Sequence, residues 1–408
     1  MKHQKMKPQI RFKDFTSPWV RRNLEEIFTI RTEKNENRYT REDVLAVSDK
    51  FGCVNQIEFH GRSFAGDDIS NYKVVHTGDI VYTKSPLQAK PYGIIKIVGK
   101  EEGIVSPLYV VNKTADNYCA LYMYYLFDLP EKTNGYLTPL VRKGAKNTMN
   151  ISDDEWLSGS VVISPDLKEQ KKISEYFSLF DQLIALHQYK FEKLCDLKKA
   201  MLLKLFPEVG MSIPKIRFKG YTKSWKSWTL GELYTERKEA GSEGLPILSV
   251  SIHSGVSADE LASAELGKAV RRSEDKSLYK HTYKGDLVFN MMRAWQGAIG
   301  VVPKEGMVSP AYITAIPNDE IYPEFMDYCL RRDEVINQIN NLSYGVTDFR
   351  KRLYWDSFVR VEIMLPSVEE QRKITTILVQ LDKLIELQSA KVEKLKNLKT
   401  ACLEKMFV

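Results

Sequence analysis

The chain is one unit written twice, and this constrains its fold more than any other feature. Pro8-Gln-Ile-Arg-Phe-Lys-Asp-Phe-Thr-Ser-Pro-Trp19 returns as Pro214-Lys-Ile-Arg-Phe-Lys-Gly-Tyr-Thr-Lys-Ser-Trp225. Further pairs follow in the same order: Leu24, Glu26 and Arg31 against Leu230, Glu232 and Arg237, then Gly78-Asp79-Ile-Val-Tyr82 against Gly285-Asp286-Leu-Val-Phe289. Gly103-Ile-Val-Ser106-Pro107-Leu-Tyr109 matches Gly306-Met-Val-Ser309-Pro310-Ala-Tyr312, and Glu169-Gln170 with Ile173 matches Glu370-Gln371 with Ile374. The spacing stays near 200 residues, far beyond the 20–50 of a solenoid repeat, so a whole domain is duplicated in tandem.

Each copy has two parts. The first is strand-rich: short β-branched and aromatic runs such as Asp79-Ile-Val-Tyr82 and Ala298-Ile-Gly-Val-Val302 are punctuated by Ser-Pro turns. The second is a long helix opening at Ser164-Pro165 or Pro366-Ser367, with no Pro or Gly before Pro207 or the last residue. Forty helical residues rise about 60 Å. Along the first helix Ile173, Phe177, Phe180, Ile184, Phe191 and Leu194, and at the equivalent places of the second Ile374, Leu378, Leu381, Ile385, Val392 and Leu395, follow steps of four and three. That is the period of a coiled coil. His187 and Gln388 fall on the seam at equivalent places, either as a register-setting polar layer or as tolerated edge residues. Leu183, Leu186, Leu197 and Leu203, with Leu384, Leu387, Leu398 and Leu403, widen the stripe and imply contact with something further. The expected fold class is α+β: two tandem strand-rich domains joined by two long antiparallel coiled-coil helices, with a pseudo-twofold axis. Boundaries are expected at 1–163 (domain 1), 164–206 (helix 1), 207–220 (linker), 221–365 (domain 2) and 366–408 (helix 2).

No catalytic constellation is visible. GxxxxGK[ST], GxGxxG, HExxH and the Asn/Asp-Pro-Pro element of adenine methyltransferases are all missing. The six histidines are not spaced as metal pairs, and the five cysteines form no CxxC and read as reduced thiols of a cytoplasmic protein. Glu169-Gln-Lys171 and Glu236-Arg-Lys238 satisfy only the loose half of a nuclease site. The longest apolar run, Cys119–Phe127, is too short to span a bilayer, and the basic start lacks the apolar segment of a signal peptide. With hydrophobic residues at 43% and charged at 28%, the composition is globular and not disordered. A non-catalytic binding or scaffolding subunit is the expectation.

The excess of 60 Lys+Arg over 53 Asp+Glu is mild but clustered. Arg142, Lys143, Lys146 and Asn147 precede the first helix; Arg350, Lys351 and Arg352 hold the matching place in the second copy. After the Gly-Asp strand stand Lys84 and Gln88 in copy one, Arg293 and Gln296 in copy two. Copy two adds Arg271 and Arg272. Arg or Lys beside Asn or Gln is what base-edge readout needs: the first donates to guanine O6/N7, the second bonds adenine N6/N7. Neighbouring lysines neutralise phosphates. The copies differ in these loops and agree in their framing motifs, so one architecture holds two different surfaces.

These features resemble the specificity (S) subunits of type I restriction–modification systems. The resemblance rests on the doubled Pro-x-Ile-Arg-Phe, the Gly-Asp strand, the Ser-Pro pairs, and Pro165…Glu169-Gln170…Ile173 with Pro366…Glu370-Gln371…Ile374. It covers nearly the whole chain. It implies two target-recognition domains, each reading half of a bipartite double-stranded DNA site, and helices that set the spacer and dock two modification (methyltransferase) subunits. Restriction (ATP-dependent translocase/nuclease) subunits complete the complex. S-adenosylmethionine, ATP and magnesium belong to those partners, and no cofactor to this chain. Two other readings stay open: a coiled-coil scaffold that binds no DNA, and a self-contained enzyme with an unrecognised site.

Overall fold

The computed structural model describes residues 7–84, 86–99, 102–143, 149–252, 255–257, 275–345 and 350–408. The chain divides into two compact units: Met1–Tyr189 with Ser389–Val408, and Lys190–Gln388. Division therefore falls within the two long helices, Leu167–Lys204 and Val368–Met406, and not at their starts. Each helix begins in the core of one unit and ends in that of the other.

Both units carry the same antiparallel four-stranded sheet. In the first the order is Phe28–Ile30, Val110–Thr114, Ile80–Thr83, Ile94–Ile97; in the second it is Tyr234–Arg237, Tyr312–Pro317, Leu287–Asn290, Ile299–Val301. The central strand Ile80–Thr83 is buried on both faces, which is why its run Ile-Val-Tyr is apolar throughout and does not alternate. The Gly-Asp pair ahead of it is a turn. Gly78 and Gly285 sit at φ +89° and +93°, a left-handed conformation costly for any residue with a Cβ. Asp79 accepts the His76 N–H at 2.8 Å, and Asp286 accepts that of Tyr283 at 2.8 Å. The same carboxylates take a bidentate Arg31 (2.7 and 3.0 Å) and Arg237 (2.7 and 3.0 Å). Each Ser-Pro pair is the turn from the short strand Gly103–Val105 or Gly306–Val308 into the sheet strand Val110–Thr114 or Tyr312–Pro317: Tyr109 N–H donates to Ser106 O at 3.0 Å, and Tyr312 N–H to Ser309 O at 2.9 Å.

The Glu-Gln signature fixes each long helix to its unit. Glu169 and Glu370 are buried and receive bidentate Arg11 (2.6 and 2.8 Å) and Arg217 (2.8 and 2.8 Å), the arginines of the Ile-Arg-Phe motif. Gln170 accepts the Cys119 N–H at 2.9 Å and donates to Ser164 O at 2.8 Å; Gln371 accepts the Tyr322 N–H at 2.8 Å and donates to Pro366 O at 3.0 Å. Glu169 is thus committed to a structural ion pair.

The helices pack together, and the contacts within each unit run antiparallel. In the first unit Tyr176 meets Cys402 and Lys399 donates to Asp181 at 2.6 Å; in the second Lys198 pairs with Asp382 at 2.5 Å. Ile173, Phe177 and Phe180 lie in the first unit's core beside Leu403, Met406 and Phe407, while Ile374 and Leu378 join Leu205 and Phe206 in the second. The leading seam residues thus pack against globular domain as well as helix. Leu381 and Val392 are also buried, and Ile184, Phe191, Leu194, Ile385 and Leu395 are half-buried. His187 is buried and Gln388 half-buried, and both have partners.

Among the stripe leucines, Leu183, Leu186, Leu197, Leu203, Leu384, Leu387 and Leu398 are exposed. Leu403 is the exception: it points inward with Met406 and is buried. Its place in the repeat is that of half-buried Leu202, one residue off the exposed Leu203. Among the described residues, no helix is long and apolar enough to cross a membrane.

Candidate nucleic-acid interface

In the second unit the loop after the Leu287–Asn290 strand is held by hydrogen bonds within itself and by one from a distant segment. Asn290 Oδ1 accepts the Met292 N–H at 3.0 Å, Arg293 N–H donates to Asn290 O at 3.0 Å, and Gln296 N–H to Arg293 O at 2.9 Å. A short 3-10 turn, Ala294–Gln296, follows and ends at Gly297, whose φ of +99° reverses the chain. Ala294 is buried in the core and the Trp295 ring packs against it, its indole N–H donating to Met292 O at 3.0 Å. Arg293 and Gln296 are left exposed on the opposite side.

A second segment comes to this turn from far along the chain. Leu353 N–H donates to Met291 O at 2.9 Å, and Tyr344 and Arg352 exchange two backbone hydrogen bonds (3.1 and 2.8 Å). Lys351 is thereby carried over the Trp295 ring, its Nζ 5.3 Å from the centroid, with exposed Arg350 and Arg352 on either side. The fold therefore brings Arg293, Gln296 and Lys351 together. Tyr344, exposed and 4.9 Å from the ring of Tyr354, borders the patch. Trp295 and these tyrosines were not legible as site residues. Their one signal was aromatic side chains interleaved with the basic run.

The first unit uses the same two places differently. Lys84 turns back and donates to Ile151 O at 2.7 Å. That contact joins the loop to the segment before the helix, as Met291 and Leu353 do in the other unit. Further along, Lys90 is buried and ion-paired with Asp49 at 2.8 Å. Gln88 is exposed, and Arg142 is exposed but bridged to Glu155 at 2.9 Å. The strand Arg142–Lys143 pairs with Met149–Asn150. Lys146, Asn147, Arg271 and Arg272 lie outside the described residues, as does the side chain of Lys143. Among the described residues no group of three or more His, Cys, Asp or Glu could hold a metal ion.

The two units share one strand order and carry different polar loops at one position. Residues 231–397 match the family described as "Type I restriction modification DNA specificity domain". The match falls on the second copy and most of its long helix, and agrees with the resemblance that the doubled motifs carry. Its fold is similar over 99% of its length to the S subunit of a type I restriction–modification system from M. genitalium (TM-score 0.58, 14% identity, 99% of that chain covered). It is similar over 96% to a chain from a type I system solved for its complex assembly and conformational transition (TM-score 0.52, 17% identity, 99% of that chain covered). At these identities the likeness is one of fold.

Proposed function

We propose that this chain is the specificity subunit of a type I restriction–modification complex, a non-catalytic DNA-addressing protein. Each unit reads one half of an asymmetric bipartite site in double-stranded DNA. The two long helices set the spacer and dock two modification subunits through the exposed leucines Leu183, Leu186, Leu384 and Leu387. Restriction subunits join that assembly. S-adenosylmethionine, ATP and magnesium act on the partners, and the site of action of the complex is the cytoplasm.

The observation that carries this reading is the pairing of one sheet order with two unlike loops, at Lys84–Gln88 and at Arg293–Gln296. Repeated geometry with different side chains suits two half-sites of different sequence. Lysines and arginines around the loops supply phosphate contacts, and a bidentate base contact contributes about 1–3 kcal/mol of discrimination. The test is sequencing of methylated adenines in a host carrying this chain with its modification partner. A bipartite motif with a fixed spacer is expected. Methylation without sequence preference, or methylation by the chain alone, overturns the reading.

A further inference from the structure

The 3-10 turn of the second unit sorts its side chains by geometry. Three residues complete one turn, so positions i and i+3 lie on one side. Arg293 caps the turn and Gln296 closes it three residues on, both exposed, while Ala294 is buried and Trp295 packs against the core. At about 2 Å rise per residue the two outward side chains are about 6 Å apart along the axis. Two steps along a DNA strand cover nearly the same distance, at about 3.4 Å each.

The turn is also rigid. The Arg293 backbone is fixed by three hydrogen bonds: its N–H to Asn290 O, and its carbonyl oxygen accepting from Gln296 and Ala298 at 2.9 and 3.1 Å. Both the Arg293 and Gln296 side chains are exposed, and among the described residues neither the guanidinium nor the amide has a hydrogen-bond partner. Lys351 differs, since its ammonium rests over the Trp295 indole and it projects a point charge beside the turn.

We propose that Arg293 and Gln296 are the specificity-determining side chains of the second unit, Arg293 reading a guanine and Gln296 an adenine about two positions away, with Lys351 contacting phosphate. This deepens the proposed reading and rests on it. Chemistry separates the roles. A guanidinium fork fits guanine O6 and N7, and a carboxamide fits adenine N6 and N7. An ammonium on a flexible stem carries charge but little geometric selectivity. The first unit supplies the contrast: in its matching loop Lys84 and Lys90 are turned inward and Gln88 is displayed.

The experiment uses the full chain co-expressed with its modification subunit, with selection of bound duplexes from a randomised pool and methylome sequencing as readouts. Arg293→Ala is expected to lower preference for one G·C pair in one half-site by about 10- to 100-fold, and Gln296→Ala to relax one A·T pair in the same half-site. The other half-site stays as it was. Arg293→Lys retains part of the guanine preference. Lys351→Ala weakens binding to all sequences alike and reduces the slope of log affinity against log salt by about one. Thermal melting of each variant confirms that the exposed substitutions leave the fold intact. A folded Arg293→Ala complex whose motif is unchanged at every position overturns the assignment, as does relaxation in the half-site governed by the first unit. A wild-type complex without any sequence preference overturns the parent reading instead, before any variant is compared.

Discussion

Arg11 grips Glu169 through two hydrogen bonds of 2.6 and 2.8 Å, and Arg217 repeats the grip on Glu370. Both glutamates are buried, so each arginine compensates a carboxylate that water cannot reach. Removing the cation strands a buried charge, at a cost of about 3–5 kcal/mol. Arg11→Ala should therefore lower the melting temperature of the first unit sharply, and Arg217→Ala that of the second. Arg11→Lys should recover little, since an ammonium cannot reproduce the planar fork. Calorimetry of the complex checks this, and equal stability of Arg11→Ala and wild type would refute it.

A second prediction concerns Asp327. Burial pushes its carboxyl up to about 6, more than the Val301 N–H and Arg331 pull it down; Glu324 adds to the rise. A raised carboxyl holds its proton in the folded state at pH values where the unfolded chain has released it. Stability from this group is therefore greatest below the ordinary carboxylate range near 4 and declines as pH rises toward 6. Asp327→Asn keeps an oxygen for the Val301 N–H and removes the ionisation. It should stabilise the second unit by on the order of 2 kcal/mol at pH 7.5 and by nothing at pH 4. Melting curves across that range decide it; a gain that does not depend on pH would rule the mechanism out.

The doubled motifs made the repeat, the helices and the family resemblance visible because they are local constraints. A left-handed turn demands Gly78 and Gly285, and a buried helix start demands Glu-Gln beside an arginine. What they did not reveal is where each motif's partner lies. Arg11 and Glu169 are far apart in sequence, as are Met291 and Leu353, and only the fold brings them together. The basic clusters were readable as composition, yet Lys84 and Arg293 look alike in sequence and point to opposite fates. Lys84 finds the Ile151 carbonyl within reach, whereas the Arg293 backbone is locked so that its side chain faces outward. The heptad spacing predicted a helix seam but could not tell helix from domain core, because both bury the same stripe.

The exposed leucines give a third prediction. Leu183, Leu186, Leu384 and Leu387 are 44%, 47%, 49% and 67% exposed, at matching places in the repeat. Apolar side chains at such exposure gain by burial against a partner, about 25 cal/mol per Å2 removed from water. Replacing Leu183 and Leu186, or Leu384 and Leu387, with serine should leave the melting temperature of this chain nearly unchanged. Each pair should remove one modification subunit from the assembly, read as a drop in complex mass by analytical ultracentrifugation. Full-sized complexes from both double variants would place the docking surface elsewhere.

The fourth prediction is modularity. Exchanging residues 15–150 for the equivalent part of a related protein should change one half of the recognised sequence and leave the other, since residues 221–350 are untouched. The exchange keeps Arg11, Glu169 and Gln170, so the helix start remains anchored. The donor segment must supply a tyrosine where Tyr125 donates to Asp181 at 2.7 Å, because Lys399 shares that carboxylate. The spacer should persist with the helices. Adding a few residues near Pro207, or one helical turn of about 5.4 Å against about 3.4 Å per base pair, should lengthen the spacer while both half-sites remain. Methylome sequencing of each strain reads all three quantities separately. Should one exchange alter both half-sites together, the units read DNA jointly and the two-module account fails.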